Sequence, residues 1–439
     1  MSKQYFDTLQ VHAGRDRSTS NGPCATPIAQ TSSFLFDSTD HAASLFNLSH
    51  PGHIYTRLSN PTTDVLEKRI AALEGAAAAV AVSSGQASQF LTIQNIASAG
   101  DNIVSATSLY GGTHNQFKIS FARLGIEFRF APNDNIGEFE AKIDNKTKAI
   151  FIETIGNSDF YIPEFEAFAA LSKKYDIPLI VDNTFGAAGY LFRPIEYGTA
   201  VITHAATKWI GGHGTSIGGV VVDCGNFNWA NGKFPQFTNP SESYHGLSFW
   251  DSFGANSPHG NIAFAVKARA EGLRDWGCTL SPFNSFLIQQ GCETLSLRMD
   301  KILGNALELA SWLEAHPKVE SVNYPGLKNN PNHERAKKYL KNGFGGVLTF
   351  TLKAAEKGND GLPAGKIPDF VHSLELLSHL VNVGDNKTLI SHSASTTHAQ
   401  LSEKELAAAG IGANMLRISL GIENIEDIKA DIEQALRRV

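Results

Sequence analysis

From residue 63 onward the hydrophobic positions switch period in a regular way. Leu66, Ile70 and Leu73 recur at helical spacing, Asp64 and Glu67 read as a capping-box start, and Gly75 closes the helix. AAAAVAVSSG at 76–85 then reads as a buried strand, ASQFLTIQNIASAG at 87–100 as a helix, and DNIVSATSLYGG at 101–112 as a strand and a turn. IEFRFA and TKAIFIET predict two more strands. EFEAFAALSKKYD predicts a helix opened by Pro163 and stopped before Pro178, and PLIVDNT a further strand. Strands alternating with helices predict an α/β domain whose mainly parallel sheet is covered by helices. In such sheets ligands collect where the carboxyl ends of strands run into loops.

The flanking regions follow different patterns. Residues 1–62 are interrupted by Pro23, Pro27, Pro51 and Pro61 and look irregular, yet Phe34, Phe36, Phe46 and Tyr55 make them too aromatic for a disordered tail. They read as an arm that docks on something. Residues 225–260 form a Gly-, Asn- and aromatic-rich insertion. Helical periodicity dominates from Ser281 to Pro317, followed by a strand-like GGVLTFTL, a polar loop at 354–366 and a final helix with Ile425, Ile428, Ile432 and Leu436 on one face. The expected organisation is an arm over 1–62, the main domain over 63–282 and a smaller C-terminal α+β domain over 283–439.

Composition narrows the possible partners. The chain of 439 residues carries 37 Lys and Arg against 43 Asp and Glu, a formal net charge of −6, which offers no electrostatic reason to expect nucleic acid or an anionic membrane. No apolar run approaches the roughly 18 residues of a membrane span, and MSKQYFDTLQ lacks an apolar signal core. Cys24, Cys224, Cys278 and Cys292 have no CxxC spacing and suit a reducing cytoplasm better than a disulfide framework or a zinc site.

The candidate chemistry stands at strand ends. In AVITHAATKWIGGHGTSIGGVVV, residues 200–222, Lys208 follows a β-branched run and is surrounded by uncharged neighbours. It is either an ordinary loop lysine or a desolvated amine able to act as nucleophile or base near neutral pH. Asp182 ends IPLIVD, Asn157 ends ETIGN, Tyr110 precedes Gly111-Gly112, and Ser83-Ser84-Gly85-Gln86 joins a strand to a helix whose N-terminus favours a phosphate. Lysine, strand-end carboxylate, aromatic face and phosphate turn together fit pyridoxal phosphate, which needs each of these. Tyr55 and Arg57, two apart in extended chain, point to one face. Gly214-Thr215-Ser216-Ile217-Gly218 matches a hydrolase elbow pattern, but a strand, GGVVVD, follows it where an elbow requires a helix. His204, His213, His392 and His398 have no metal-ligand spacing.

From about Phe6 to the C-terminus the chain resembles the pyridoxal-phosphate-dependent enzymes of cysteine and methionine metabolism, the cystathionine synthase and lyase family. YTRLSNPT, VSSGQAS, SLYGGT, VDNTF, THAATKWIGGHG and LRISLGIE carry the resemblance in the family's order. It implies a fold-type I transferase. Lys208 would be the Schiff-base lysine, Asp182 the partner of the pyridine nitrogen, and Tyr110 the stacking ring and a second acid or base. Gly85, Gln86 and Thr207 would hold the phosphate, and Asn157 would lie near the ring hydroxyl. Tyr55 and Arg57 would reach the phosphate of a neighbouring subunit, making the arm an intersubunit element of a dimer and, with two dimers, a tetramer. Arg417 in MLRISLG would clamp the substrate α-carboxylate. One departure is Ala205, where many members have a phosphate-binding serine, so that one phosphate donor is either missing or replaced, for example by a serine of the 83–88 turn.

The long insertion, Asn382 in NVGDNKTLISHSASTTH, and TDHAASLFNL look like the O-acetylhomoserine sulfhydrylase branch. Family lyases tend to have serine at the Asn382 position, and methionine γ-lyases a cysteine at the Gly112 position. The branch implies γ-replacement on O-acetylhomoserine with sulfide or methanethiol, giving homocysteine or methionine and acetate, with Asn382 and Arg417 on the substrate. A γ-lyase or cystathionine γ-synthase is the alternative reading.

Overall fold

The computed structural model describes residues 4–15, 22–132, 135–157, 159–353, 366–396, 412 and 414–438. The polar loop at 354–365 and His398 lie outside the described residues.

The arm is more regular than its prolines suggest. It contains α1 (Phe6–His12) and α2 (Thr39–Phe46), the second capped by the Ser38 hydroxyl accepting from the His41 N–H. The next helix, α3 (Pro61–Glu74), begins earlier than the Asp64/Glu67 reading placed it. Asn60 is its cap, accepting from the Thr62 N–H, and Pro61 fills the first turn, where its missing N–H is no loss. Asp64 instead pairs with Lys68 at 2.6 Å, and Glu67 is buried, accepting from the Ala81 N–H. Gly75 ends the helix in the left-handed region, φ 74°.

The main sheet is then laid down by β1 (Ala78–Val82), α4 (Gly85–Ile96), β2 (Asn102–Ala106), β3 (Glu127–Ala131), β4 (Thr147–Glu153), α5 (Phe165–Tyr175), β5 (Leu179–Asp182), β6 (Val201–Ala205) and β7 (Gly219–Asp223). The strand order is β1-β7-β6-β5-β4-β2-β3, and only β7 runs antiparallel to its neighbours. Ile150, Phe151, Ile152, Leu179, Ile180, Val181, Val201 and Ile202 are all buried, as continuous apolar strands in a doubly covered sheet should be. Each such side chain contributes roughly 1.5–3 kcal/mol on removal from water.

The insertion folds as short helical pieces around Trp229, Phe234, Phe237 and Phe264, whose rings pack on one another. Beyond it come α6 (Pro282–Cys292), the 20-residue α7 (Leu295–Glu314), and a five-stranded sheet. That sheet holds β8 (Val319–Asn323), β9 (Val347–Leu352), β10 (Ser378–His379), β11 (Leu389–His392) and β12 (Met415–Ser419), and α8 (Ile425–Leu436) covers it. The order is β10-β11-β12-β9-β8, antiparallel except for β10 beside β11. β8 was not anticipated: VESVN has two exposed positions and a register shift against β9, so its alternation is weak.

Candidate active site

Register brings the strand-end residues together. Ala205 pairs with Gly219, and Gly219 with Val82, so the 83–86 turn lies beside the segment leading to Lys208. Asp182 pairs with Glu153 on one side and Thr203 on the other. A Cβ at Gly85 would stand 2.6 Å from that of Ala205, and one at Gly219 2.0 Å from the Ser84 carbonyl oxygen. Both glycines are therefore what lets α4 present its N-terminus against β6.

Lys208 is partly buried, and its Nζ donates to Asn382 Oδ1 at 2.5 Å. Burial, with the Arg417 guanidinium nearby, pushes its pKa down to about 8. Arg417 on β12 donates from Nη1 to Asn157 Oδ1 at 3.3 Å, and burial lowers its own pKa from the usual arginine value. The smaller sheet thus supplies two groups, Asn382 and Arg417, to the strand ends of the larger one.

Asp182 is fixed at both oxygens: Oδ1 accepts from the Thr184 N–H at 2.9 Å and Oδ2 from Gln89 Nε2 at 2.8 Å. The Tyr110 N–H donates to Glu153 Oε1 at 2.7 Å, which seats the turn carrying the half-exposed Tyr110 ring. A Cβ at Gly112 would lie 2.5 Å from Tyr110 Cε1, so a side chain there would displace the ring. Gln86 ties α4 to the same turn, its Nε2 donating to the Gly112 carbonyl at 3.0 Å. Thr207 exchanges hydrogen bonds with Gly218, its hydroxyl oxygen accepting from the N–H at 3.0 Å.

Two further sets of predicted residues have partners within the chain. Of the serines near Ala205, Ser84 caps α4 by accepting from the Ala87 N–H and Ser88 donates to the Gly85 carbonyl at 2.6 Å. Tyr55 and Arg57 line a cleft with Gln30, Thr31, Ser32 and Thr279 that includes none of Tyr110, Asp182, Lys208 or Arg417, and Arg57 donates to the Arg274 carbonyl at 2.7 Å.

Sequence reasoning overlooked Gln89 and Glu153. Gln89 is four residues past Gly85, hence on the same helix face, and a polar residue in that apolar helix was the available signal. Glu153 is a second strand-end carboxyl beside Asp182, buried and pushed well above the ordinary range by desolvation and by the Asp182 charge. The histidines have local partners: His204 Nε2 lies 2.8 Å from Glu74 Oε1, His213 Nδ1 2.6 Å from the Gly211 carbonyl, and His392 Nδ1 2.8 Å from Ser395 Oγ. Ser216 precedes β7, a strand, so the hydrolase elbow geometry is not present there.

A lysine amine of depressed pKa, a carboxylate clamped at both oxygens on the next strand, an aromatic turn tied to the first helix and that helix's exposed N–H groups fit pyridoxal phosphate. Fold and site together define a fold-type I pyridoxal phosphate enzyme. Residues 7–437 match the sequence model of the Cys/Met metabolism PLP-dependent enzymes, and the chain belongs to that family. It is 52% identical to homocysteine/cysteine synthase of Saccharomyces cerevisiae over 99% of this chain and 98% of that one. It is 50% identical to O-acetyl-L-homoserine sulfhydrylase 1 of Thermus thermophilus over 98% of this chain and 99% of that one. A solved structure named for the O-acetylhomoserine (thiol)-lyase of Campylobacter jejuni, bearing a pyridoxyl-lysine phosphate, superposes with a TM-score of 0.91 at 37% identity, covering 98% and 99% of the two chains.

Proposed function

We propose that this chain catalyses γ-replacement on O-acetyl-L-homoserine with sulfide or methanethiol, giving L-homocysteine or methionine and acetate. The observation that carries the reading is the Lys208–Asn382 contact at 2.5 Å beside Arg417, which puts a readily deprotonated amine next to an anion-binding guanidinium. Bound there, pyridoxal phosphate supplies the electron sink that makes the substrate's α- and β-hydrogens acidic. Lys208 takes and returns those protons. Arg417 clamps the α-carboxylate, with Asn382 orienting the amine of Lys208 and the substrate. Tyr110 supports the ring face and is the second acid or base, near the leaving acetate. Asp182 faces the pyridine nitrogen, Asn157 the ring hydroxyl, and Gly85, Gln86 and Thr207 the phosphate.

Tyr55 and Arg57 serve the phosphate site of a second copy, with the 1–62 arm as the intersubunit element of a dimer and two dimers forming a tetramer. The 98% exposure of Leu35 on the arm supports this. The main domain, 63–282, binds the cofactor, and 283–439 closes the substrate side. A reducing cytoplasm suits the four free thiols.

The test is an absorbance spectrum of the purified protein with O-acetylhomoserine, with and without sulfide, alongside a homocysteine assay. A visible band plus homocysteine formed only with sulfide is expected. Formation of 2-oxobutyrate and ammonia irrespective of thiol would establish a lyase, and no band after adding pyridoxal phosphate would overturn the reading.

A further inference from the structure

Gln89 is buried on α4, and its amide nitrogen makes two hydrogen bonds, to Asp182 Oδ2 at 2.8 Å and to Thr113 Oγ1 at 3.0 Å. The amide's orientation follows from chemistry, since its oxygen turned toward a carboxylate would be repelled. Thr113 is itself fully buried, in the helical turn that Tyr110 opens. One side chain therefore links the strand-end carboxylate of β5 to the turn carrying the aromatic face. Among the described residues, the Asp182 carboxylate also accepts from the Thr184 N–H.

We propose that Gln89 is a positioning residue for the cofactor: it locks Asp182 and the Tyr110 turn in one arrangement, so that carboxylate and aromatic face meet the cofactor ring together. The inference rests on the reading of Asp182 as that nitrogen's partner. A donor on Oδ2, beside the Thr184 N–H on Oδ1, leaves the carboxylate plane no freedom to turn. Without the amide, Asp182 gains rotational freedom and the Tyr110 turn loses its tie to the carboxylate.

The experiment compares wild type, Gln89→Met, Gln89→Glu, Thr113→Val and Asp182→Ala as full-length holoenzymes. It measures pyridoxal phosphate affinity by dialysis against the cofactor, the pH dependence of the bound cofactor's absorbance between pH 6 and 9, and melting temperature. Gln89→Met conserves volume, so fold is retained while affinity falls roughly tenfold, as loss of a charge-assisted hydrogen bond implies. The absorbance, flat with pH in wild type, becomes pH-sensitive. Gln89→Glu recovers affinity as pH falls, because a protonated carboxyl donates to Oδ2 in place of the amide; a packing role would show no such rescue. Thr113→Val lowers affinity in the same direction by a few-fold and carries the test together with Gln89→Glu if Gln89→Met does not fold. Wild-type affinity and flat absorbance in Gln89→Met, with the cofactor lost from Asp182→Ala, would overturn the role of Gln89 and leave the site reading intact. Full cofactor binding by Asp182→Ala would remove both.

Discussion

The depressed pKa of Lys208 has a direct kinetic consequence for capture of the cofactor by the apoenzyme. Only the free amine attacks an aldehyde. With a pKa of about 8, about 9% of the amine is free at pH 7, against about 0.04% for a lysine at its ordinary value near 10.4, an advantage of about 200-fold. The rate of capture therefore rises about tenfold per pH unit below 8 and levels off above it. Arg417→Gln removes the like charge that helps lower the pKa, so the plateau moves to higher pH and capture at pH 7 slows. The assay mixes apoenzyme with excess pyridoxal phosphate between pH 6.5 and 10.5 and follows the growth of the visible band. A rate still climbing tenfold per unit at pH 10 would show that Lys208 is an ordinary solvated lysine and refute the argument. A plateau unmoved in Arg417→Gln would show that burial alone sets it.

Tyr110→Phe keeps the cofactor, because the ring and the Glu153 bond to its N–H remain, but loses about 10²- to 10⁴-fold in kcat if the hydroxyl transfers a proton; unchanged turnover would remove that role. Arg417→Lys keeps the charge and loses the two-pronged donor, so KM for O-acetylhomoserine rises roughly tenfold to a hundredfold, while an unaltered KM would place the carboxylate elsewhere. Gly85→Ala drives a methyl to 2.6 Å from Ala205 Cβ, so it is expected to push α4 off β6 and weaken cofactor retention at least tenfold in dialysis.

What could be read from the sequence divides along physical lines. The strands of the main sheet are long apolar runs bounded by Gly, Pro or Asp, and doubly buried strands leave that signature because every position is apolar. Lys208, Asp182, Tyr110 and Gly85 were legible for the complementary reason: each stands out against an apolar or small-residue background at a strand end. The start of α3 was misread because Asp64 and Glu67 satisfy a local pattern, whereas Asn60 and Pro61 are what the fold uses, and Glu67 is drawn inward by the Ala81 N–H and Arg269. Gln89 and Glu153 escaped because their importance lies in partners 93 and 43 residues away. Nothing local marks an amide as the anchor of a distant carboxylate. Asn382 and Arg417 are as distant in sequence, and only the family resemblance, not a local pattern, points to them.

The ionisable groups of the site form two like-charged pairs, Glu153 with Asp182 and Lys208 with Arg417. Four charges in one partly buried cleft would carry a large desolvation penalty. In each pair one member is moved toward its neutral form: desolvation, with Asp182 second, drives the Glu153 carboxyl to hold its proton, and desolvation, with Arg417 second, brings Lys208 down to about 8. Glu153 accepts the Tyr110 N–H, and Asp182 beside it carries one donor on each oxygen. On the other side, Lys208 sits where a small change of surroundings adds or removes its proton. The group that has to switch during a γ-replacement is thus the one whose pKa lies near working pH.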